Sequence, residues 1–366
     1  MTADTTLTHT SVTGPNSVVN KTQKEKLFAA AILAKQMPTY RQAYSDRTAW
    51  LMSCAAELAY VKFNPLIPSE KLQAAFNKKV DEYLNGKKKN ILTDLLSSFS
   101  YDAKEQEQIL TSDLDTIRLE LIKTFDVKDT QAIIAVTDHF VVLSFRGTES
   151  TNPEDIKSDL KAMQVKCVSG GMVHSGFSAA FDVVSEQVQA ALNEANIAAK
   201  PLFITGHSLG GALATIAAKR LTHKSGIAAC YTFGSPRVGD TNWVAGLRAP
   251  VYRVVNAVDS VTMMPPGGEL IACTSKLLSL IPYLQPASDL LQEKFGGYLH
   301  SGDMRYLTNC ENGDFESVKL LSSVSWTYRI MGMVKNSFRA SKVLKDHSMV
   351  NYRTKLGIIA RKRNLD

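Results

Sequence analysis

A serine set between two glycines, where an apolar run gives way to a helix of small residues, limits the fold of this chain more than any other feature. Residues 202–205 are β-prone, and they lead into Gly206-His207-Ser208-Leu209-Gly210-Gly211 and then the alanine-rich run 212–218. A serine lifted out of a strand into a helix sits in a tight turn. Glycines two residues before and after it remove the Cβ atoms that would collide there. Gly211, Ala214 and Ala218 let the helix lie close to a sheet. A G-x-S-x-G string arises by accident in about one chain of this length in ten, so the strand before it and the helix after it carry the inference. Ser208 is a candidate nucleophile; the alternative is a structural turn with an idle serine.

The surroundings agree with that setting. Runs 132–136, 141–145, 202–205, 227–233 and 251–255 read as strands, and 177–191 and 209–221 as helices. Strands alternating with helices predict an α/β fold, a central mostly parallel sheet flanked by helices, because parallel neighbours need crossover connections. Residues 22–123 read as helical. Ser45 and Asp46 are caps for a helix with Trp50, Cys54 and Leu58 on one face beside Leu51 and Ala55. Pro65 and Pro68 break the pattern, and Ser69 restarts a helix carrying Leu72, Phe76, Val80 and Leu84. The expected organisation is a polar tail at 1–20, a helical layer at 21–125 packed on the core, and an α/β domain at 126–366 with an apolar insertion near 267–298.

With 366 residues, 45% hydrophobic and 21% charged, the chain has enough apolar material for a continuous core, which excludes wholesale disorder. Its 42 Lys and Arg against 35 Asp and Glu give +7, which permits attraction to anionic surfaces. The basic runs Lys87-Lys88-Lys89 and Arg361-Lys362-Arg363 read as solvated surface, and no nucleic-acid partner is expected. Five widely spaced cysteines (Cys54, Cys167, Cys230, Cys273, Cys310) without a CxxC pair suggest reduced thiols, with neither a disulfide framework nor a zinc site. The first twenty residues lack a basic start and a long apolar stretch. The expectation is therefore no cleaved signal, and a cytoplasmic location or export by a signal-independent route.

Gly206 to Ala214 resembles the nucleophile segment of the class 3, fungal-type lipases, which are α/β-hydrolases. Phe145-Arg146-Gly147-Thr148, His174-Ser175-Gly176-Phe177, Thr232-Phe233-Gly234-Ser235-Pro236-Arg237-Val238-Gly239-Asp240 and Arg253-Val254-Val255-Asn256-Ala257-Val258-Asp259-Ser260-Val261 resemble that family's motifs in the same order. The resemblance covers about 131–266 and a short block near the C-terminus, and it implies an ester hydrolase of the α/β-hydrolase fold.

A serine hydroxyl needs a histidine to accept its proton and a carboxylate to orient the imidazole, in the chain order Ser, acid, His. Asp240 and Asp259 both follow expected strands after Ser208. The resemblance selects Asp259, and Asp240 reads as a turn residue. Of seven histidines, His9 lies in the tail, His139 between adjacent strands and His207 within the elbow. His174 precedes Ser208 and His223 stands at a helix C-terminus, which leaves His300 and His347. Asp346-His347-Ser348-Met349-Val350-Asn351-Tyr352 is similar to the family block that carries the catalytic histidine, so His347 is the favoured base and His300 the alternative. The N–H of Leu209, next to the nucleophile, is a natural oxyanion donor. The resemblance adds Thr148 as the second, while Arg146 in the same motif also suits a simple strand exit.

In the family a mobile amphipathic lid follows the oxyanion residue. The matching stretch 149–160 is dominated by Glu149, Asn152, Glu154, Asp155, Lys157 and Asp159, a poor oily flap. Residues 276–295, with Leu277, Leu278, Leu280, Ile281, Tyr283, Leu284, Leu290 and Leu291, form an apolar insertion. It is suited either to cover an acyl site or touch lipid, or to pack on the N-terminal helices. The expected function is hydrolysis of lipid esters through an acyl-enzyme, triacylglycerol lipase-like, without metal or organic cofactor and with transient contact at a lipid interface. The alternatives are a phospholipase A1, a short-chain esterase, an acyltransferase, or a silent hydrolase scaffold that binds a ligand or partner.

Overall fold

Eight strands pair into one sheet in the order β1-β2-β3-β6-β7-β8-β9-β10. The computed structural model describes residues 30–33, 43–61, 103–148, 164–289, 297–310, 314–335 and 345–364. In chain order the main elements are α1 (Asp46–Leu58), α2 (Ala103–Thr116), β1 (Glu120–Val127), β2 (Thr130–Val136), β3 (Val141–Phe145), β4 (Gln164–Lys166), β5 (Met172–His174), α3 (Ser175–Leu192), β6 (Leu202–His207), α4 (Leu209–Arg220), β7 (Ile227–Phe233), β8 (Val251–Asn256), α5 (Gly268–Ser279), β9 (Asp303–Leu307), β10 (Leu320–Leu321), α6 (Trp326–Lys335) and α7 (Met349–Asn364). Strands β3, β6, β7, β8 and β9 run parallel, β1, β2 and β10 pair antiparallel, and β4 and β5 form a separate hairpin. This is the mostly parallel sheet of an α/β-hydrolase. The expectations for the tail 1–20, the helix from Ser69 to Leu84, the run Lys87 to Lys89 and the flap 149–160 lie outside the described residues.

Two apolar layers cover the sheet. Phe177, Phe181, Val184 and Val188 of α3 and Ala212, Leu213, Ile216 and Ala217 of α4 fill one face with Leu143, Ile204 and Cys230. Trp50, Leu51, Met52, Ala55 and Leu58 of α1 fill the other with Phe203, Tyr231, Val254 and Tyr352, Leu356 and Ile359 of α7. The central strands are buried on both faces, which is why they read as near-continuous apolar runs.

Three sequence expectations need correction. Residues 120–123 were expected to be helical, but they open strand β1. A two-residue turn at Lys128 and Asp129, both at positive φ (47° and 66°), folds β1 back on β2, a hairpin that lacks the glycine that usually announces it. Strands β9 and β10 were not anticipated. Helix α1 was expected to bury one face, yet every residue from Thr48 to Leu58 is buried, because α1 is wedged between the sheet and α7. The Ser45 cap is present, its hydroxyl accepting from Thr48 N at 3.4 Å. Ser144 and Thr205 donate from the sheet to the α1 carbonyls of Ala55 (3.0 Å) and Met52 (3.2 Å).

Helix α7 is tied down by polar side chains that point inward. Arg353 Nε donates to Glu57 Oε2 of α1 at 2.6 Å with both groups buried. Lys355 Nζ, 1% exposed, donates to Asn256 Oδ1 (2.7 Å) and Thr308 O (2.9 Å). Removing one member of a buried ion pair leaves the other charge uncompensated and costs about 3–5 kcal/mol. Arg353→Met is therefore expected to lower the unfolding free energy by about that amount in denaturant titration. The double change Arg353→Met with Glu57→Leu should recover most of the loss. An additive double variant would contradict the pairing.

Candidate active site

The turn between β6 and α4 holds Ser208 at φ 56°, ψ −126°, a conformation that a residue bearing Cβ adopts only under constraint. A Cβ on Gly206 would overlap the Gly210 carbonyl, and one on Gly210 would overlap the carbonyl of Phe145 at the end of β3. The glycines thus let strand, turn and helix close on each other. Ser208 N donates to Phe233 O at 2.9 Å, and Ser208 O accepts from Gly211 N at 3.0 Å.

The hydroxyl so raised meets His347. Ser208 Oγ and His347 Nε2 are 2.9 Å apart, and His347 Nδ1 lies 3.0 Å from Asp259 Oδ2. Asp259 is wholly buried, and its carboxylate also accepts from Tyr352 OH (2.6 Å) and from Val261 N (3.0 Å). The Tyr352 oxygen in turn accepts from Asn256 N at 3.0 Å. Burial and the Asp259 charge push the Tyr352 phenol well above its usual range, so it remains a donor.

His347 is held by its backbone as well. The buried elbow residue His207 directs Nε2 at His347 O (2.7 Å) and Nδ1 at Tyr60 OH (2.8 Å). A carbonyl only accepts, so Nε2 carries the hydrogen and Nδ1 accepts from the tyrosine. Burial, and then the nearby His347, hold the His207 ring well below the usual histidine range, which keeps it neutral. Asn256 Nδ2 donates to Asp346 O at 2.8 Å and Val258 N to Asp346 Oδ2 at 3.4 Å, fixing the residue before His347 to the end of β8.

The loop carrying Asp259 is gripped from below. Arg329 Nη2 of α6 donates to Asp259 O (3.2 Å) and to Thr262 Oγ1, while Thr262 Oγ1 donates to Asp259 O at 2.8 Å. Arg237 Nη1 donates to Met263 O and, at 2.7 Å, to Pro265 O. His300 Nε2 donates to Thr262 O at 2.6 Å, and burial followed by the charges of Arg253 and Arg237 depresses its basicity. The structure thus brings His347 to Ser208 and commits His300 to a loop carbonyl.

The remaining expected residues are placed as follows. Leu209 opens α4, so its N–H has no acceptor within the helix. Thr148 follows Gly147, where a Cβ would overlap the Tyr60 hydroxyl and the His207 carbonyl. Asp240 caps a short helix, its Oδ1 accepting from Trp243 N (2.7 Å) and Met172 N (3.0 Å). His174 caps α3 and stacks on Phe177 at 3.8 Å, and His223 Nε2 donates to Lys200 O at 2.6 Å. Arg146 donates to Gln131 Oε1. Of the apolar insertion, 276–289 is described, and Leu277, Leu280, Ile281 and Tyr283 are 61%, 73%, 50% and 92% exposed. Of the two roles open to this stretch, exposure of these four side chains favours the one at the surface. Among the described residues no cluster of three His, Cys, Asp or Glu is arranged to hold a metal, and no helix is long and apolar enough to cross a membrane.

Tyr60, Arg329, Asn256 and the tie from His207 were not found by sequence reasoning. Tyr352 stood inside the quoted C-terminal block, but its partner was not evident. Tyr60 lies 147 positions from His207, a separation at which a single sequence carries no local signal.

A serine elbow and a buried carboxylate at the C-terminal ends of parallel strands, met by a histidine just before α7, form the geometry of a serine triad on an α/β sheet. The sequence profile of the family Lipase (class 3) matches residues 142–269. The chain is 39% identical over 134 residues to a secreted mono- and diacylglycerol lipase 1 of Fusarium solani, covering 34% of this chain and 39% of that protein. It is 33% identical over 162 residues to a lipase of Rhizomucor miehei, covering 40% and 45%. Lipase II from Rhizopus niveus is similar at a TM-score of 0.48 and 20% identity, over 83% of this chain and 94% of that one. Residues 142–269 are thus similar in sequence to class 3 lipases. The chain spans less than half the length of these two curated relatives.

His207 and His300 are both held below the ordinary histidine value in the folded protein. The unfolded chain takes up their protons as pH falls through about 6.5, so it binds more protons than the native state below that point. Their contribution to stability is complete above about pH 6.5 and is lost on acidification, by up to about 1.4 kcal/mol per pH unit for each ring. Denaturant unfolding followed from pH 7.5 to 5 (roughly one unit either side of the free-histidine value) should show falling stability, with a shallower slope in His300→Gln. An unchanged slope in that variant would contradict the burial argument.

Proposed function

We propose that this chain is a serine carboxylic-ester hydrolase acting on lipid esters through an acyl-enzyme. The observation that carries the reading is the unbroken line from Ser208 Oγ to His347 Nε2 at 2.9 Å and from His347 Nδ1 to Asp259 Oδ2 at 3.0 Å. His347 takes the hydroxyl proton as Ser208 Oγ attacks the ester carbonyl carbon. Asp259 keeps the Nδ1–H tautomer and stabilises the imidazolium without taking its proton. The N–H groups of Leu209 and Thr148 hold the oxyanion, each worth about 3–4 kcal/mol in related chemistry. His347 then gives its proton to the departing alcohol. Water, activated by the same ring, attacks the acyl-serine and releases the carboxylic acid.

Two observations support lipid esters as substrates. The similar proteins include a mono- and diacylglycerol lipase and a lipase, and the exposed side chains of Leu277, Leu280, Ile281 and Tyr283 offer an apolar surface after the Asp259 loop. That surface suits transient contact with a lipid interface.

A panel of esters from acetyl to long acyl, with acylglycerols and phospholipids, tests the reading. Hydrolysis should favour long acyl chains and fall by about a thousandfold or more in Ser208→Ala and in His347→Ala, with a much smaller loss in His300→Ala. Turnover confined to acetyl esters would indicate a short-chain esterase, and preference for phospholipids a phospholipase A1. Activity retained in His347→Ala but lost in His300→Ala would overturn the assignment of the base.

A further inference from the structure

Behind the Asp259 loop lies a buried guanidinium, that of Arg253, for which no carboxylate among the described residues compensates. On β8, Val251 belongs to the core on the α4 side of the sheet, while Tyr252 and Val254 belong to the other side. Alternation therefore sends Arg253 toward α4, where Val238, Val261 and Met264 also pack. Arg253 is 7% exposed, and its Nε and Nη1 are shielded from solvent with no hydrogen-bond acceptor among the described residues. Thr232, its registered neighbour on β7, is 1% exposed and its hydroxyl is likewise unengaged. Arg329 Nε is a further buried donor without an acceptor among the described residues.

These groups lie within electrostatic reach of one another. Arg253 feels the charges of Arg329 and Arg237, and His300 feels all three guanidiniums. Asp259 is the carboxylate that acts on Arg329, and among the described residues no carboxylate acts on Arg253. Arg329, Arg237 and His300 already spend donors on the loop carbonyls, whereas Arg253 spends none. A buried cation with unmet N–H groups beside two like charges is costly unless a counter-charge joins it.

We propose that Arg253, Arg329 and Thr232 hold a small inorganic anion of the size of chloride behind the loop that carries Asp259. The burial of the donors limits the ligand to an ion that fits inside the protein and excludes a lipid carboxylate or headgroup. A bound halide accepts from the Arg253 guanidinium, from Arg329 Nε and from the Thr232 hydroxyl. It also reduces the repulsion that would push Arg329 away from Asp259 O. Occupancy thereby stiffens the acid loop. The proposal concerns binding and does not rest on the esterase reading.

Crystals of the full chain soaked in bromide should show an anomalous peak within hydrogen-bond distance of Arg253. Thermal unfolding at constant ionic strength, with gluconate replaced stepwise by chloride or bromide, should show a saturable rise of a few degrees in wild type. Thr232→Val, which retains every charge, should need several-fold more halide for the same rise, and Arg253→Met should show none. Absence of the bromide peak at Arg253, or a halide response that both variants leave unchanged, overturns the proposal.

Discussion

The backbone of one residue sets the terms for the rest of this molecule. Ser208 stands at φ 56°, ψ −126°, a conformation that costs on the order of 1–3 kcal/mol and persists only where its surroundings over-determine it. Here they do. Strand β3 and strand β7 flank β6 in parallel, Phe233 O captures the serine N–H, and the flanking glycines allow Gly206, Gly210 and Phe145 to approach without side chains between them. The strain is offset by the burial of α4 along its length against both β6 and β7. What results is a hydroxyl presented at the C-terminal end of a central strand.

A presented hydroxyl is inert without its imidazole, which comes from 139 residues downstream. That distance is bridged by a polar scaffold inside an apolar layer. His207, the neighbour of the serine, holds the backbone of His347, while Tyr352 one turn into α7 reaches back to Asp259. Arg353 and Lys355 fasten the same helix to α1 and to the end of β8. The helix that carries Tyr352 to Asp259 is thus also the one fastened to α1.

Sequence and structure agree where chemistry is local. The elbow is spelled by adjacent residues, the central strands by apolar runs buried on both faces, and the Ser45 cap by a hydroxyl before a helical stretch. Choosing His347 over His300 took a resemblance, because isolated histidines look alike until their partners are known, and only the fold shows His300 spending its Nε2 on Thr262 O. Tyr60, Arg329 and Asn256 act through contacts between segments remote in sequence, which no local pattern encodes. Strand β1 was missed because its hairpin turns at Lys128 and Asp129 without a glycine, and α1 was taken for a one-sided helix because α7, which covers its outer face, lies at the opposite end of the chain.

In the proposed reaction Ser208 Oγ is the atom that becomes acylated, with His347 and the N–H groups of Leu209 and Thr148 arranged about it. A crystal structure of the protein after reaction with a long-chain alkyl phosphonate ester measures this directly. Phosphorus is expected bonded to Ser208 Oγ, with a phosphoryl oxygen accepting from the N–H groups of Leu209 and Thr148 and the His347 ring within hydrogen-bond reach. Phosphorus on any other residue, or on Ser208 with its oxygen turned away from both N–H groups, would contradict it.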